Sequence, residues 1–143
     1  MDSSALVAGV ISATGASRAI LQLAEVNLIS VTISEQVVVE TERALARKAP
    51  KALLIYRAIV RDTGLKIVRN PHPAVVTGNQ HMISDPTDVP ILLAAIAAQT
   101  DYLVTLNRRH FLDDPNVAKQ AGIRIGSPSA ALAWLRERLS GEI

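Results

Sequence analysis

With 143 residues and no cysteine, the chain is one domain of ordinary size that can bury a core without disulfides and has no thiolate metal site. Hydrophobic residues make up 49% and aromatics only 3%, so the core must be aliphatic, and no apolar run reaches the ~18 residues of a membrane span. A net charge of +2 and a pI of about 9.3 exclude a strongly charged protein; the weak positive field fits a polyanionic partner or a plain solvated surface.

Taken in chain order, the apolar run Leu6 to Ile11 ends in the turn-like Ala13-Thr14-Gly15. Ser17 is placed to N-cap a helix through Leu23 to about Glu25,. Leu28 to Ile33 is a short β-branched run and reads as a buried strand,. Ser34 then caps a helix that carries Glu40, Arg43 and Leu45 on to about Lys48. Pro50 suits the first turn of the next helix, Ala52 to about Asp62, which Gly64 stops,. Leu65 to Val68 is a strand. Asn70-Pro71-His72-Pro73 interrupts regular structure, and the stretch to Met82 reads as a loop,. Asp85 to Asp88 opens a helix with Pro90 in its first turn, running to about Gln99. Tyr102 to Thr105 is an apolar strand, and Asn107 to Phe111 leads away from its carboxyl end. Asp113-Asp114-Pro115 caps a short helix ended by Gly122, Ile123 to Ile125 is the last strand, and Ser127-Pro128 opens a final helix, Ser129 to about Leu139.

Strands alternating with longer helices define βαβ units and a mainly parallel sheet with helices on both faces. The expected fold is α/β, a three-layer α/β/α sandwich with a central mainly parallel sheet, formed by one domain over residues 1–143. In such sheets, sites lie beyond the carboxyl ends of the strands. Asp2, Asn107 and the acids that open the Asp88 helix fall at or near that end. Carboxylates gathered there from distant segments suit a hard divalent cation such as Mg²⁺.

The order of these segments resembles the PIN domain, a small α/β/α metal-dependent ribonuclease fold, over essentially the whole chain. Asp2-Ser3-Ser4-Ala5-Leu6-Val7 resembles the family's opening acid followed by small hydroxyl residues. Ile33-Ser34-Glu35-Gln36-Val37-Val38-Val39-Glu40 resembles the Ser-capped helix with the second acid. Asp85-Pro86-Thr87-Asp88 with Ala94-Ala95 resembles the segment with the third, aligned on Asp88. Asp101-Tyr102-Leu103-Val104-Thr105 resembles the strand before the fourth, and Gly122 to Pro128 the closing strand and helix entry. Two departures stand out. Asn107 occupies a position where the family often has an acid, so it offers a carbonyl oxygen without charge. The family's first strand precedes its first Asp, whereas only Met1 does here; the strand is shortened or the chain begins upstream.

The resemblance implies metal-assisted hydrolysis of RNA, with Asp2, Glu40 and Asp88 holding Mg²⁺ or Mn²⁺ and Asn107 assisting. Each residue also has a plainer reading. Asp2 is a ligand or a terminal acid. Glu40 is a ligand or the partner of Arg43 one turn on. Asp88 is a ligand or a helix-start acid, and Asp85 reads as an N-cap or turn acid. Ser4 and Thr105 orient Asp2, substrate or water, or are turn hydroxyls. Arg108, Arg109 and His110 contact substrate phosphate, or are a solvated pair and a structural loop residue. Trp134 is core or interface.

The role that the resemblance implies is the toxin of a toxin–antitoxin pair. Its partners would be an RNA substrate, an antitoxin protein and a second copy in a homodimer. The start Met1-Asp2-Ser3-Ser4 lacks a signal peptide's positive n-region, so the expectation is a cytoplasmic protein with no membrane partner. The alternative is a catalytically weak or inactive PIN-like module that binds RNA or a protein. A nucleotide-binding fold is disfavoured, because Ala13-Thr14-Gly15-Ala16-Ser17 is no phosphate-loop fingerprint.

Overall fold

Helices and short parallel strands alternate in the computed structural model, which describes residues 1–141. Asp2 caps the first helix, α1 (Ser3–Ile11), its Oδ1 accepting from Ser3 N at 2.7 Å. The next helix, α2 (Ala16–Glu25), starts behind Gly15 rather than at a Ser17 cap. Ser17 is instead buried inside α2, because α1 crosses here at 89° and at close range. A Cβ on Gly9 of α1 would lie 2.7 Å from Leu21 Cδ1 and 3.2 Å from Ser17 Cβ, so the crossing needs glycine on one side and a small residue on the other.

The first strand, β1 (Thr32–Ser34), is shorter than Leu28 to Ile33; Asn27 adopts a left-handed φ of 61°, and Leu28 faces solvent. Ser34 caps α3 (Glu35–Lys48) by accepting from Val37 N at 3.3 Å. A tight turn at Pro50–Ala52 leads into α4 (Leu53–Thr63), which ends at Gly64 with φ 61°, a conformation that costs glycine nothing,. After β2 (Lys66–Val68) the expected loop contains a helix, α5 (Pro73–Gly78). Pro73 sits in its first turn, where no N–H is needed, and His72 Nδ1 accepts from Ala74 N at 3.1 Å,.

The turn Pro86–Asp88 opens α6 (Val89–Ala97), followed by β3 (Tyr102–Val104) and a wide turn over Arg108–Leu112. Asp114 caps α7 (Pro115–Ala121), Gly122 ends it, and β4 (Arg124–Gly126) leads into α8 (Pro128–Gly141). The fold is mixed α/β and mostly helical.

Its ladders form two parallel pairs, not one continuous sheet. Thr32, Ile33 and Ser34 lie opposite Lys66, Ile67 and Val68, and Tyr102, Leu103 and Val104 opposite Arg124, Ile125 and Gly126. Met1 and Asp2 sit between the pairs: Met1 N donates to Thr32 O at 2.8 Å, and Asp2 N to Val104 O at 2.9 Å. The core is aliphatic, as the composition requires, with Leu6, Leu21, Ile33, Leu45, Leu92 and Leu103 each at most 2% exposed. Each such side chain contributes about 2 kcal/mol on burial. Trp134 lies outside this core, against the Tyr102 ring and between the guanidinium groups of Arg124 and Arg138. Among the described residues no single helix is long and apolar enough to cross a membrane.

Candidate metal centre

The carboxyl ends of β1 and β3 bring four distant segments together. Asp2 is 4% exposed and fully engaged. Its Oδ2 accepts from Thr105 Oγ1 at 2.7 Å and from Ser4 Oγ at 3.1 Å. Thr105 lies one residue past β3 and is completely buried. Its Oγ1 also accepts from Asn107 N at 3.0 Å, and Ser4 Oγ accepts from Leu106 N at 3.0 Å. The two hydroxyls therefore tie the chain start to the segment leaving β3 and fix the Asp2 carboxylate between them.

Glu40 projects from α3 toward the same place. Its Oε1 is inaccessible to solvent and has no hydrogen-bond partner, and no ion pair joins it to Arg43 among the described residues. Burial pushes the Glu40 carboxyl up from its ordinary value. The negative charges of Asp2 and Asp88 push it further, against the nearby Gln36 and Ser3.

Asp88 is 8% exposed at the start of α6. Burial raises its carboxyl first, then the charges of Asp85 and Asp2, with His110 opposing. Its Oδ2 lies 2.9 Å from His110 Nδ1 and 3.4 Å from Asn107 Nδ2. Asn107 caps the turn after β3, its Oδ1 accepting from His110 N at 3.1 Å. Its carbonyl oxygen is thus engaged locally, and its amide nitrogen faces Asp88.

Asp85 is the participant that sequence reasoning set aside as a cap. It does cap, its Oδ1 accepting from Thr87 N at 2.9 Å and Thr87 Oγ1 at 2.7 Å, and these bonds hold its carboxyl below the ordinary value. Its other oxygen lies 3.4 Å from His110 Nδ1. One donor atom from each of Asp85, Asp88 and His110 falls within 4.8 Å of the others. A signal for this was present: Asp85 and Asp88 are three apart, as are Asn107 and His110, a spacing that puts both members of a pair on one side of a turn. Arg109 is exposed and its charge acts on Asp85, whereas Arg108 points toward Asp113, 3.8 Å away.

Asp2, Glu40 and Asp88 raise one another's cost of ionisation, and one carboxylate oxygen of Glu40 is orphaned. A buried anion cluster of this kind is stable only when protonated or when neutralised by a cation. The donor set is carboxylate oxygen plus one imidazole nitrogen, which fits a divalent cation.

An acidic cluster at the carboxyl ends of parallel strands in a mixed α/β fold defines a cation-site protein of the α/β class. The model of the family described as the PIN domain matches residues 1–109. The chain belongs to the PIN domain family, a nuclease family. No curated protein and no solved structure matches the chain.

Proposed function

We propose that the protein is a metal-dependent ribonuclease that hydrolyses phosphodiester bonds of RNA. The observation that carries this reading is the orphaned Glu40 oxygen in a cluster with Asp2 and Asp88. These three would hold one or two Mg²⁺ or Mn²⁺ ions, with Asp85 and His110 as further donors beside Asp88. A bound divalent cation supplies Lewis acidity, polarising the phosphate and making water a competent nucleophile near neutral pH.

The chain's own residues do the positioning. Thr105 and Ser4 hold the Asp2 carboxylate in one rotamer. Asn107 and His110 hold Asp88. Arg109, exposed beside the acids, is placed to meet a substrate phosphate, and Arg108 lies farther out. By the family's pattern, water attacks phosphorus and the product carries a 5′-phosphate.

The finer architecture goes with this reading: β1–β2 and β3–β4 are halves of one parallel sheet joined through Met1 and Asp2, with helices on both faces. The biological role proposed is that of a cytoplasmic toxin held in check by an antitoxin protein. The exposed Leu54 and Ile55 of α4 would support a homodimer.

A second reading is a PIN-like module that binds RNA or a protein without turnover. Asn107 favours it, because it adds no charge and its oxygen is already used as a cap.

Cleavage of a mixed single-stranded RNA by the pure protein with Mn²⁺ separates the two, with EDTA and Asp88→Asn as controls. Cleavage that EDTA and the variant both abolish is expected. Binding of the same RNA with no cleavage at any Mn²⁺ or Mg²⁺ concentration would replace the nuclease reading with the module.

A further inference from the structure

β1 and β3 are held apart by the width of one strand. Each forms a ladder on its outer side, β1 with β2 and β3 with β4. On their inner sides, the backbone bonds among the described residues are those of Met1 N to Thr32 O and Asp2 N to Val104 O. Two interstrand spacings put β1 and β3 about 10 Å apart. Toward the amino ends of both strands this gap continues as a cavity of about 390 Å³. One wall is Val31 and Thr32, the other Tyr102 and Val104, and Ile20 of α2 and Ala131 of α8 also line it.

The ladder alternation shows what faces the gap. Val31 O accepts from Lys66 N, and Thr105 N donates to Gly126 O, so the odd-numbered residues of both strands bond outward. Thr32 and Val104 therefore bond inward. Their carbonyls accept from Met1 and Asp2. Their N–H groups point into the gap and have no backbone acceptor among the described residues. Unpaired ladder groups at a sheet's centre are costly, and a matching strand satisfies them.

We infer that this gap is a strand-acceptor slot, filled by an extended peptide segment that runs parallel to β1 and β3 and is bonded to the Met1 nitrogen. The direction follows from the bonds already present, because Met1 N and Asp2 N donate as the last two residues of such a strand would. Carbonyls of the residues ahead would accept from Thr32 N and Val104 N. The two pairs would then become one parallel sheet of five strands. Alternate side chains of the segment would pack on Ile20 and Ala131, which requires them to be apolar. Asp2 would stand at the strand's carboxyl end, anchored on both sides.

The test compares three forms of the full chain: the chain from Met1, the chain preceded by six residues alternating valine and threonine, and the same extension with two prolines. Amide hydrogen exchange at Thr32 and Val104 and the thermal midpoint are read without metal. With the alternating extension, exchange at both amides is expected to slow ~100-fold or more and the midpoint to rise by several degrees; the proline form should do neither. Equal exchange in all three forms overturns the inference. So does equal protection of the unextended chain by the free hexapeptide, which would make the slot a docking site for separate peptides.

Discussion

Thr105 Oγ1 donates to Asp2 Oδ2 at 2.7 Å, joining residues 103 positions apart across the mouth of the sheet. Both are buried, Thr105 completely, so no water replaces the bond if it is lost. Thr105→Val keeps the shape and removes the hydroxyl. Its expected cost is about 1–3 kcal/mol in urea unfolding, the range for stranding a buried acceptor. Thr105→Ser should recover most of the loss. Divalent-cation stabilisation should fall in the valine variant and persist in the serine one; a valine variant as stable as the parent would show that Asp2 is held by other means.

Glu40 gives a prediction with a definite sign. The folded state raises the Glu40 and Asp88 carboxyls above their ordinary values of 4.5 and 3.8. Between the ordinary and the raised value the folded state binds more protons than the unfolded one. Stability from these groups is therefore fully present below the ordinary carboxylate range and is lost as pH rises through the raised values. Removing one charge relieves the cluster at neutral pH, so Glu40→Gln should raise the metal-free thermal midpoint at pH 7 and leave it nearly unchanged near pH 3. The same variant should lose most of the stabilisation by Mn²⁺. A lower metal-free midpoint at pH 7 would mean that Glu40 is held by partners rather than strained by like charges.

Much of this arrangement was legible from local chemistry. Ser34, Asp114 and Gly64 mark their helix boundaries because capping is decided within a few residues. The Asp-Pro-Thr-Asp segment opens α6 for the same reason. The gathering of Asp2, Glu40 and Asp88 followed from the alternation of strands and helices together with the family resemblance. The α5 helix did not, because Pro73 after His72 reads as a breaker until its N–H is seen to be unneeded at a helix start. The Ser17 cap failed because the α1–α2 crossing buries that residue, and no local pattern encodes the crossing. Asp85 was set aside because capping explained it fully; that one of its oxygens caps while the other faces His110 depends on where the turn after β3 lands.

His110 separates two ways of serving the site. Its Nδ1 lies 2.9 Å from Asp88 and 3.4 Å from Asp85. If it ligates a cation, it contributes a nitrogen, which strengthens binding of transition ions more than of Mg²⁺. His110→Ala should then weaken Mn²⁺ binding by about tenfold, roughly 1.4 kcal/mol, and Mg²⁺ binding much less, as measured by calorimetric titration. Equal weakening of both would assign His110 to holding Asp88 in place rather than to the ion.

Asn107 is the position where an added charge is most informative. Its Oδ1 caps His110 N, and its Nδ2 lies 3.4 Å from Asp88 Oδ2. Asn107→Asp keeps the cap acceptor, removes the donor to Asp88 and adds a negative charge to the cluster. Without metal at pH 7 the variant should be less stable by about 1 kcal/mol or more, since two carboxylates then face each other in a partly buried site. The loss should shrink as pH falls through the raised carboxyl values, because protonation removes the repulsion. Mn²⁺ should reverse the order, stabilising the variant more than the parent. The readout is the thermal midpoint with and without Mn²⁺ at pH 7 and pH 4. If the ion stabilises the variant no more than the parent, the side chain at this position does not face the cation, and Asn107 serves the turn alone.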